Sequence, residues 1–275
     1  MKKQKVGLAL GGGAARGIAH IGVLEILERE SIRIDMIAGT SAGAAIGALL
    51  AQGKSAAEID KLARGFDWKQ RLQAVDLALP INGFIAGRKI KQLLKSIIGD
   101  VDFRQLNIPF ACIATDINNG QEVVMNQGSV LEAVRASISI PVIFSVVEYN
   151  GRHLVDGGLV NPVPVSVLKA MGADFIIAVN VMPRLDNKTG FAHPESTTEQ
   201  SVAGKSPNLF NIILKVFSIT NSQVVEASLN GADIIIEPCL GDIGLGDFSH
   251  TEECILQGGL AAIDALPEIK KHLVA

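Results

Sequence analysis

A serine with a glycine two residues away on each side is the first feature of this sequence that could do chemistry. Gly39, Ser41 and Gly43 form the pattern Gly-x-Ser-x-Gly between an apolar stretch and an Ala-rich stretch. On a sharp strand-to-helix turn such a serine exposes its hydroxyl, and the glycines let the backbone pass without Cβ clashes. The following helix directs free N–H groups and its positive dipole end there. The pattern indicates a nucleophilic serine; the simpler alternative is a tight turn that needs small residues.

A second feature is the glycine-rich loop Gly11-Gly12-Gly13-Ala14-Ala15-Arg16-Gly17, which follows a predicted strand and precedes a predicted helix. Such a loop exposes backbone N–H groups that can cradle a phosphate or stabilise an oxyanion. A dinucleotide fingerprint needs Gly or Ala where Arg16 stands, and an acidic residue at the end of the second strand. Asp35 lies at the start of that strand instead, and the sequence has no Walker lysine. These differences favour an oxyanion role over nucleotide binding.

The proton acceptor for such a serine has to be a histidine or a carboxylate. Among the five histidines, only His250 has a position that fits a Ser–His–Asp triad, and His20 is more typical of a supporting residue on a helix. Asp156 ends a predicted strand and precedes Gly157 and Gly158, so its carboxylate can project into a crowded site. Partial desolvation would raise its pKa from a reference value near 4. The spacing alone leaves Asp156 open between a general base and a residue that begins a turn.

Four motifs, taken in chain order, resemble those of the patatin-like phospholipase family. They are the glycine loop at 11–17, Gly39-Thr40-Ser41-Ala42-Gly43, Ala136-Ser137-Ile138-Ser139-Ile140-Pro141 and Asp156-Gly157-Gly158. The resemblance extends from about Val6 to Val181, which is about two thirds of the chain. Each motif alone is weak, but the combination is highly specific, and within the family the sequence resembles the compact bacterial-type members.

The resemblance implies a Ser–Asp dyad in which Ser41 is the nucleophile and Asp156 the proton acceptor, with a covalent acyl-enzyme. It also implies an oxyanion hole formed by Gly11, Gly12, Gly13 and Ala14. The supporting motif residues are Arg16, Gly17, Gly39, Gly43, Gly157 and Gly158. Arg16 departs from a strict glycine pattern, and it either orders the loop or meets a lipid phosphate. Members of the family need neither calcium nor another cofactor, so we expect no cofactor and no metal.

The expected activity is hydrolysis of lipid acyl esters, of the phospholipase A or lysophospholipase type. A thioesterase or small-ester esterase needs the same dyad, and a regulatory lipid-binding protein can retain the same fold. No motif specifies the head group, chain length, positional preference or oligomeric state. An acyl chain needs an apolar groove, and two segments are candidates for its mouth: the loop 77–85 and the helix predicted after residue 208.

That helix has an apolar stripe at i, i+3, i+4, i+7 and i+8, formed by Leu209, Ile212, Ile213, Val216 and Phe217. We expect the stripe to pack on the core; the alternatives are contact with a membrane, action as a lid, or contact with a second copy.

Composition excludes several classes of protein. Hydrophobic residues make up 48% of the 275 residues, which is too many for a disordered chain. Because 25 basic residues stand against 28 acidic ones and aromatic residues are scarce, nucleic-acid binding is not expected.

Three cysteines without a Cys-x-x-Cys pair are typical of a cytoplasmic protein. Since neither a signal peptide nor a membrane span is predicted, we expect a cytoplasmic protein that at most contacts the inner face of a membrane.

Two strand–turn–helix units in succession, beginning with strands at Val6–Leu10 and Ile34–Ala38, position the loop and the serine. They predict an α/β fold: a three-layer sandwich whose mostly parallel central sheet has helices on both faces. Residues 1–275 are expected to form a single patatin-like domain with a polar surface insertion at about 183–208. A C-terminal helix is predicted, with a break or a new first turn at Pro267.

Overall fold

A mixed central sheet organises the residues that the computed structural model describes, which are 4–65, 87–182, 185–186, 190–191 and 209–274. The strands of this sheet are β1 (Val6–Leu10), β2 (Met36–Thr40), β3 (Phe110–Asp116), β4 (Glu122–Met125), β5 (Val147–Tyr149), β6 (Arg152–Asp156), β7 (Phe175–Val179) and β10 (Ile234–Ile236). Their order is β10-β7-β1-β2-β3-β6-β5, and β4 pairs with β3. The five strands from β10 to β3 are parallel, and β4, β5 and β6 are antiparallel. A separate hairpin joins β8 (Leu185–Asp186) to β9 (Gly190–Phe191).

Helices cover both faces of the sheet. They are α1 (Ala19–Arg29), α2 (Ala42–Ala51), α3 (Ala56–Arg64), α4 (Gly87–Ile98), α5 (Val130–Ser137), α6 (Val165–Met171), α7 (Leu209–Ser228) and α8 (Thr251–Val274). Short 3-10 turns lie at Ala14–Ile18, Phe103–Gln105, Gly157–Leu159 and Phe248–His250.

Successive side chains of a strand point to opposite faces of the sheet, and they divide the core into two layers. Leu8 and Leu10 of β1 face a cluster that includes side chains of α1, α2, α5 and α8, whereas Ala9 faces a cluster with α6 and α7. A strand buried on both sides needs apolar residues at every position, which is the pattern of parallel sheets between helices. The predicted three-layer α/β sandwich is therefore confirmed, with an antiparallel edge at β4, β5 and β6.

Two element boundaries differ from the predictions. β2 begins at Met36 and continues to Thr40, because Asp35 is held outside the strand: its carboxylate accepts a hydrogen bond from the Val6 N–H at 3.0 Å. The C-terminal helix α8 continues through Pro267 without the predicted break. Pro267 lies on the exposed side of α8, where the carbonyl of Ile263 that it leaves without an N–H donor can face water.

The loop 77–85 and most of the predicted insertion at 183–208 lie outside the described residues, and the prediction of a single domain over 1–275 stays a prediction. Within the ranges that the structure describes, no helix combines the length and the apolar character needed to cross a membrane.

Candidate active site

The site forms where two strands meet end to end beside β3. Ile113 of β3 pairs with Thr40 of β2, and the next residue, Ala114, pairs with Asp156 of β6. Ile113 and Ala114 also pair with β4, which lies along the opposite edge of β3. Strands β2 and β6 therefore lie along the same edge of β3. Since β2 is parallel to β3 and β6 antiparallel, their carboxyl ends point at each other. The residue after Thr40 and the last residue of β6 are thereby brought together across 115 positions of sequence.

Ser41 stands on a strained turn between β2 and α2. Its φ of 53° and ψ of −120° lie outside the usual regions for a residue with a side chain. A Cβ at Gly43 would lie 2.1 Å from the carbonyl oxygen of Leu10, and one at Gly39 would lie 2.5 Å from the carbonyl oxygen of Gly43. Both glycines of the Gly-x-Ser-x-Gly pattern are therefore required by close backbone approach rather than by flexibility.

A short hydrogen bond joins the two candidate residues. The Oγ of Ser41 donates to Oδ2 of Asp156 at 2.6 Å, and Oδ1 of Asp156 accepts the N–H of Gly158 at 2.8 Å. Asp156 is fully buried, and burial raises its pKa to about 7 although both hydrogen bonds act in the opposite direction. A carboxylate with this pKa can accept a proton from a hydroxyl near neutral pH.

The main chain of Asp156 is fixed on both sides. Its N–H donates to the carbonyl of Ser139 at 2.9 Å, and its carbonyl accepts the hydroxyl of Thr115 at 2.8 Å. Gly157 has no room for a side chain, since a Cβ there would lie 2.3 Å from the carbonyl oxygen of Ile113. At Gly158 a Cβ would lie 2.3 Å from Oδ1 of Asn221 on α7. The aspartate is thus held by β3 and by the turn that follows it.

The segment after this turn connects the three motifs, and the sequence analysis missed it. The hydroxyl of Thr40 donates to the carbonyl of Asn161 at 2.8 Å, and the N–H of Gly12 donates to the carbonyl of Pro162 at 2.9 Å. The side-chain amide of Asn161 donates to Glu122 and Ser166. The Asn-Pro dipeptide is a turn signal that marks an irregular segment, but its partners in the other two motifs, Thr40 and Gly12, are distant in sequence.

The glycine loop lies over Ser41, but only part of it has N–H groups free to bind an oxyanion. A Cβ at Gly12 would lie 3.3 Å from the Cβ of Ser41. The N–H of Gly11 donates to the carbonyl of Val179, and that of Gly12 is held by Pro162. Among the described residues, the N–H groups of Gly13 and Ala14 have no backbone partner.

The oxyanion hole expected at Gly11, Gly12, Gly13 and Ala14 stays a prediction, and among the described residues only the last two of these four have N–H groups without a backbone partner. Gly11 and Gly12 serve the loop's own structure, because each N–H is already held by a carbonyl.

Two buried side chains hold this loop. Arg16 donates through Nε to the carbonyl of Val181 at 2.8 Å and through Nη1 to that of Ile243 at 3.3 Å. The buried guanidinium thus bonds the loop to two carbonyls, and that Arg16 orders the loop stays one of its two predicted roles. The Nε2 of His20 lies 2.8 Å from the carbonyl oxygen of Gly11. Burial lowers the pKa of His20 to about 4, so it is neutral and donates this bond.

Other glycines of the loop are fixed by packing. A Cβ at Gly13 would lie 2.5 Å from Cγ2 of Val181, and one at Gly17 would lie 2.4 Å from the Cβ of Ala42. Gly17 thereby lets the loop pack directly against the first turn of α2.

The histidine considered for a triad lies elsewhere. His250 is exposed in the turn at Phe248–His250, where its Nδ1 pairs with Asp247 at 2.8 Å. In the part of the chain that the structure describes, no group of three or more His, Cys, Asp and Glu side chains is arranged to hold a metal ion.

Helix α7 presents a different face to the core than its apolar stripe predicts. Ile212, Val216 and Ile219 are 43%, 57% and 38% exposed, whereas Leu214 and Asn221 are buried. Ser218 and Ser222 are also buried, and α7 packs on the turn at Gly157–Leu159. The expectation that the stripe packs on the core is wrong for Ile212 and Val216, because small polar side chains face inward instead.

Comparison with known proteins gives a family match over this site. The model of the family described as "Patatin-like phospholipase" matches residues 8–169, which is more than half of the chain. An uncharacterized NTE family protein of Mycobacterium tuberculosis is 36% identical over 195 residues, covering 71% of this chain and 54% of the relative. The lysophospholipase NTE1 of Debaryomyces hansenii is 29% identical over 283 residues, covering 97% of this chain and 18% of the relative.

A comparison of folds agrees with this match. The crystal structure of VipD from Legionella pneumophila has a TM-score of 0.59 and 15% identity, covering 98% of this chain and 67% of that chain. This likeness supports the fold alone. The chain spans about half the length of the mycobacterial relative and less than a fifth of the yeast one.

Proposed function

Because the chain belongs to the patatin-like phospholipase family, we propose that it hydrolyses acyl esters of lipids with Ser41 as nucleophile and Asp156 as proton acceptor. The observation that carries the proposal is the 2.6 Å hydrogen bond from the Ser41 hydroxyl to a fully buried carboxylate whose pKa is about 7. A solvated aspartate would be too weak a base to activate a hydroxyl at neutral pH, and burial removes that difficulty.

In the first half of the reaction, the Oγ of Ser41 attacks the ester carbonyl carbon while its proton passes to Oδ2 of Asp156. Negative charge develops on the former carbonyl oxygen, and we propose that the N–H groups of Gly13 and Ala14, which have no backbone partner among the described residues, stabilise it. The positive end of α2, which begins directly after Ser41, acts in the same direction. Collapse of the tetrahedral intermediate expels the alcohol, which takes the proton from Asp156, and leaves an acyl-enzyme.

In the second half, a water molecule replaces the alcohol. Asp156 takes a proton from the water as its oxygen attacks the acyl carbon, and the same two N–H groups bind the second oxyanion. Ser41 leaves with the proton held by Asp156, and the fatty acid is released. One carboxylate acts as base and then acid in each half, so no histidine is needed.

The proposed substrate class is a lysophospholipid or another glycerolipid, in line with the name of the yeast relative.

We also propose that the outer face of α7, formed by Ile212, Val216 and Ile219, contacts the surface of a lipid membrane or micelle. The inner face of the same helix packs on the turn after Asp156, so a surface bound there lies next to the site. Lys215 is the only charged residue between Leu209 and Val225, so no carboxylate opposes contact with phospholipid.

Fatty acid release tests the proposal. Purified protein is given a lysophospholipid, a diacyl phospholipid, a diacylglycerol, an acyl thioester and a short-chain ester. Release from at least one lipid is expected, with a loss of at least about a thousandfold in Ser41→Ala and Asp156→Asn. His250→Ala is the matched control and keeps full activity. Turnover of the thioester or short ester alone supports an esterase of another class, and lipid binding without any turnover supports the regulatory alternative.

A further inference from the structure

The backbone N–H of Ser41 is held by a side chain from a distant motif. It donates to the Oγ of Ser137 at 2.8 Å, across 96 positions of sequence. Ser137 is the last residue of α5 and is fully buried. This contact belongs neither to the Gly-x-Ser-x-Gly turn nor to the glycine loop, and the reaction described above does not use it.

The backbone N–H of Ser41 lies at the amino end of α2, so the loss of its hydrogen-bond acceptor would affect the orientation of Ser41. Ser41 caps the amino end of α2, where the first N–H groups have no partner inside the helix. A buried donor without a partner is costly, so removal of the acceptor favours rotation of the peptide plane that precedes Ser41. Because Ser41 is already held at a strained φ of 53°, loss of this bond lets φ relax, and a change in φ that ψ of Thr40 does not compensate moves Cβ and Oγ of Ser41.

The same short segment also holds Asp156. The carbonyl of Ser139 accepts the N–H of Asp156 at 2.9 Å, two residues after Ser137. One chain segment therefore binds the main chain of both partners in the 2.6 Å hydrogen bond, the serine through a side chain and the aspartate through a carbonyl. The hydroxyl of Ser139 does not face Ser41: it bonds to Arg135, which also donates to the carbonyl of Ser145 at 3.0 Å.

We propose that Ser137 is a positioning residue that sets the orientation of the Ser41 hydroxyl toward Asp156. The proposal rests on the function proposed above. Ser137 is fully buried and its hydroxyl accepts the backbone N–H of Ser41, so it acts through the backbone of that residue. Ser139 is equally buried in the same segment, but its link to Asp156 is a main-chain carbonyl that any residue supplies.

Because Ser137 acts through its side chain and Ser139 through its carbonyl, Ser137→Ala and Ser139→Ala form a matched pair of variants. A fluorophosphonate probe is reacted with wild type, Ser137→Ala, Ser137→Cys and Ser139→Ala, and the maximal inactivation rate is separated from the probe's binding constant. Circular dichroism and thermal melting establish which variants are folded. In Ser137→Ala the maximal rate is expected to fall about 10- to 100-fold with little change in probe binding, since a small misplacement of a nucleophile has effects of that size.

Ser137→Cys keeps the volume but offers a weak acceptor, so its rate stays near that of Ser137→Ala. Ser139→Ala is expected to melt earlier, because Arg135 loses a partner, and to keep a rate within about threefold of wild type among folded molecules. The midpoint of the acidic limb of the rate profile stays unchanged in Ser137→Ala, since its effect does not pass through the ionisation of Asp156.

Three outcomes overturn the inference while leaving the proposed function intact. They are a wild-type rate in folded Ser137→Ala, full rescue by Ser137→Cys, and an equal loss of rate in Ser139→Ala. Failure of wild type to react at Ser41 contradicts the proposed function itself, so the two failures are distinguishable.

Discussion

At the scale of single residues, the burial of Asp156 has opposite effects on chemistry and on stability. Its pKa of about 7 in the folded protein exceeds the reference value near 4 of an unfolded chain. Between these values the folded state holds a proton that the unfolded state has lost. The free energy of unfolding therefore decreases as the pH rises from about 4 to about 7, and the loss is complete above that range.

Asp156→Asn is expected to separate the two effects. The neutral amide carries no buried charge, so the variant should melt several degrees above wild type at pH 8, with the difference shrinking toward pH 5. Hydrolysis by wild type should fall on acidification with an apparent pKa of about 7, because a protonated Asp156 accepts no proton. Melting curves and initial rates across pH 5–8 measure both. A melting difference independent of pH would contradict the assignment of the raised pKa to Asp156.

At the scale of elements, the local pattern predicted the two strand–turn–helix units. The strand at Val6–Leu10 agrees with the structure residue for residue, because its apolar run ends at glycine. The meeting of β2 with β6 could not be predicted in this way. It depends on the register of both strands against β3, and register is set by contacts between distant segments.

The same limit applies to two further features of the site. Which N–H groups of the glycine loop are free depends on Val179 and Pro162, which the loop's own sequence does not reveal. The inner face of α7 was assigned from apolar periodicity. Asn221 faces the turn after Asp156 instead, where a Cβ at Gly158 would lie 2.3 Å from its Oδ1, and Ser218 and Ser222 are buried. On this helix, local preference yields to the requirements of the site.

The exposed apolar stripe of α7 can be compared with a similar stripe on α8 to test which helix contacts a lipid surface. On α8, the exposed side chains Leu256, Leu260 and Ile263 are 60%, 46% and 41% exposed. They have the same i, i+4, i+7 spacing as the outer stripe of α7, but α8 packs on the opposite face of the sheet. The two stripes are thus matched in chemistry and belong to helices on opposite faces of the sheet.

Flotation with phosphatidylcholine vesicles, with and without phosphatidylserine, compares the stripes. Wild type is expected to float with vesicles, and Ile212→Ser/Val216→Ser to bind roughly tenfold more weakly, from the loss of two inserted apolar side chains. Leu256→Ser/Leu260→Ser is the control and binds like wild type. Weaker binding by the control pair alone would assign lipid contact to α8 instead. If neither pair changes binding, the outer face of α7 does not contact lipid, and gel filtration then tests contact with a second copy.

At the scale of the whole molecule, the site is an assembly of distant segments held by the central sheet. The loop after β1, the turn after β2, the end of α5 and the turn after β6 each contribute one part. The parallel strands bring the first two to the same edge of the sheet, and the antiparallel β6 delivers Asp156 from the opposite direction. The central claim is that this assembly makes Ser41 a nucleophile that depends on Asp156.

Site-mapped covalent labelling tests that claim most directly. Wild type, Ser41→Ala and Asp156→Asn are reacted with a fluorophosphonate probe at pH 8, and the modified peptide is identified by mass spectrometry. The account predicts a single adduct on Ser41 in wild type, none in Ser41→Ala, and a rate at least about a thousandfold lower in Asp156→Asn. An adduct on another residue, or a wild-type rate in folded Asp156→Asn, would contradict it.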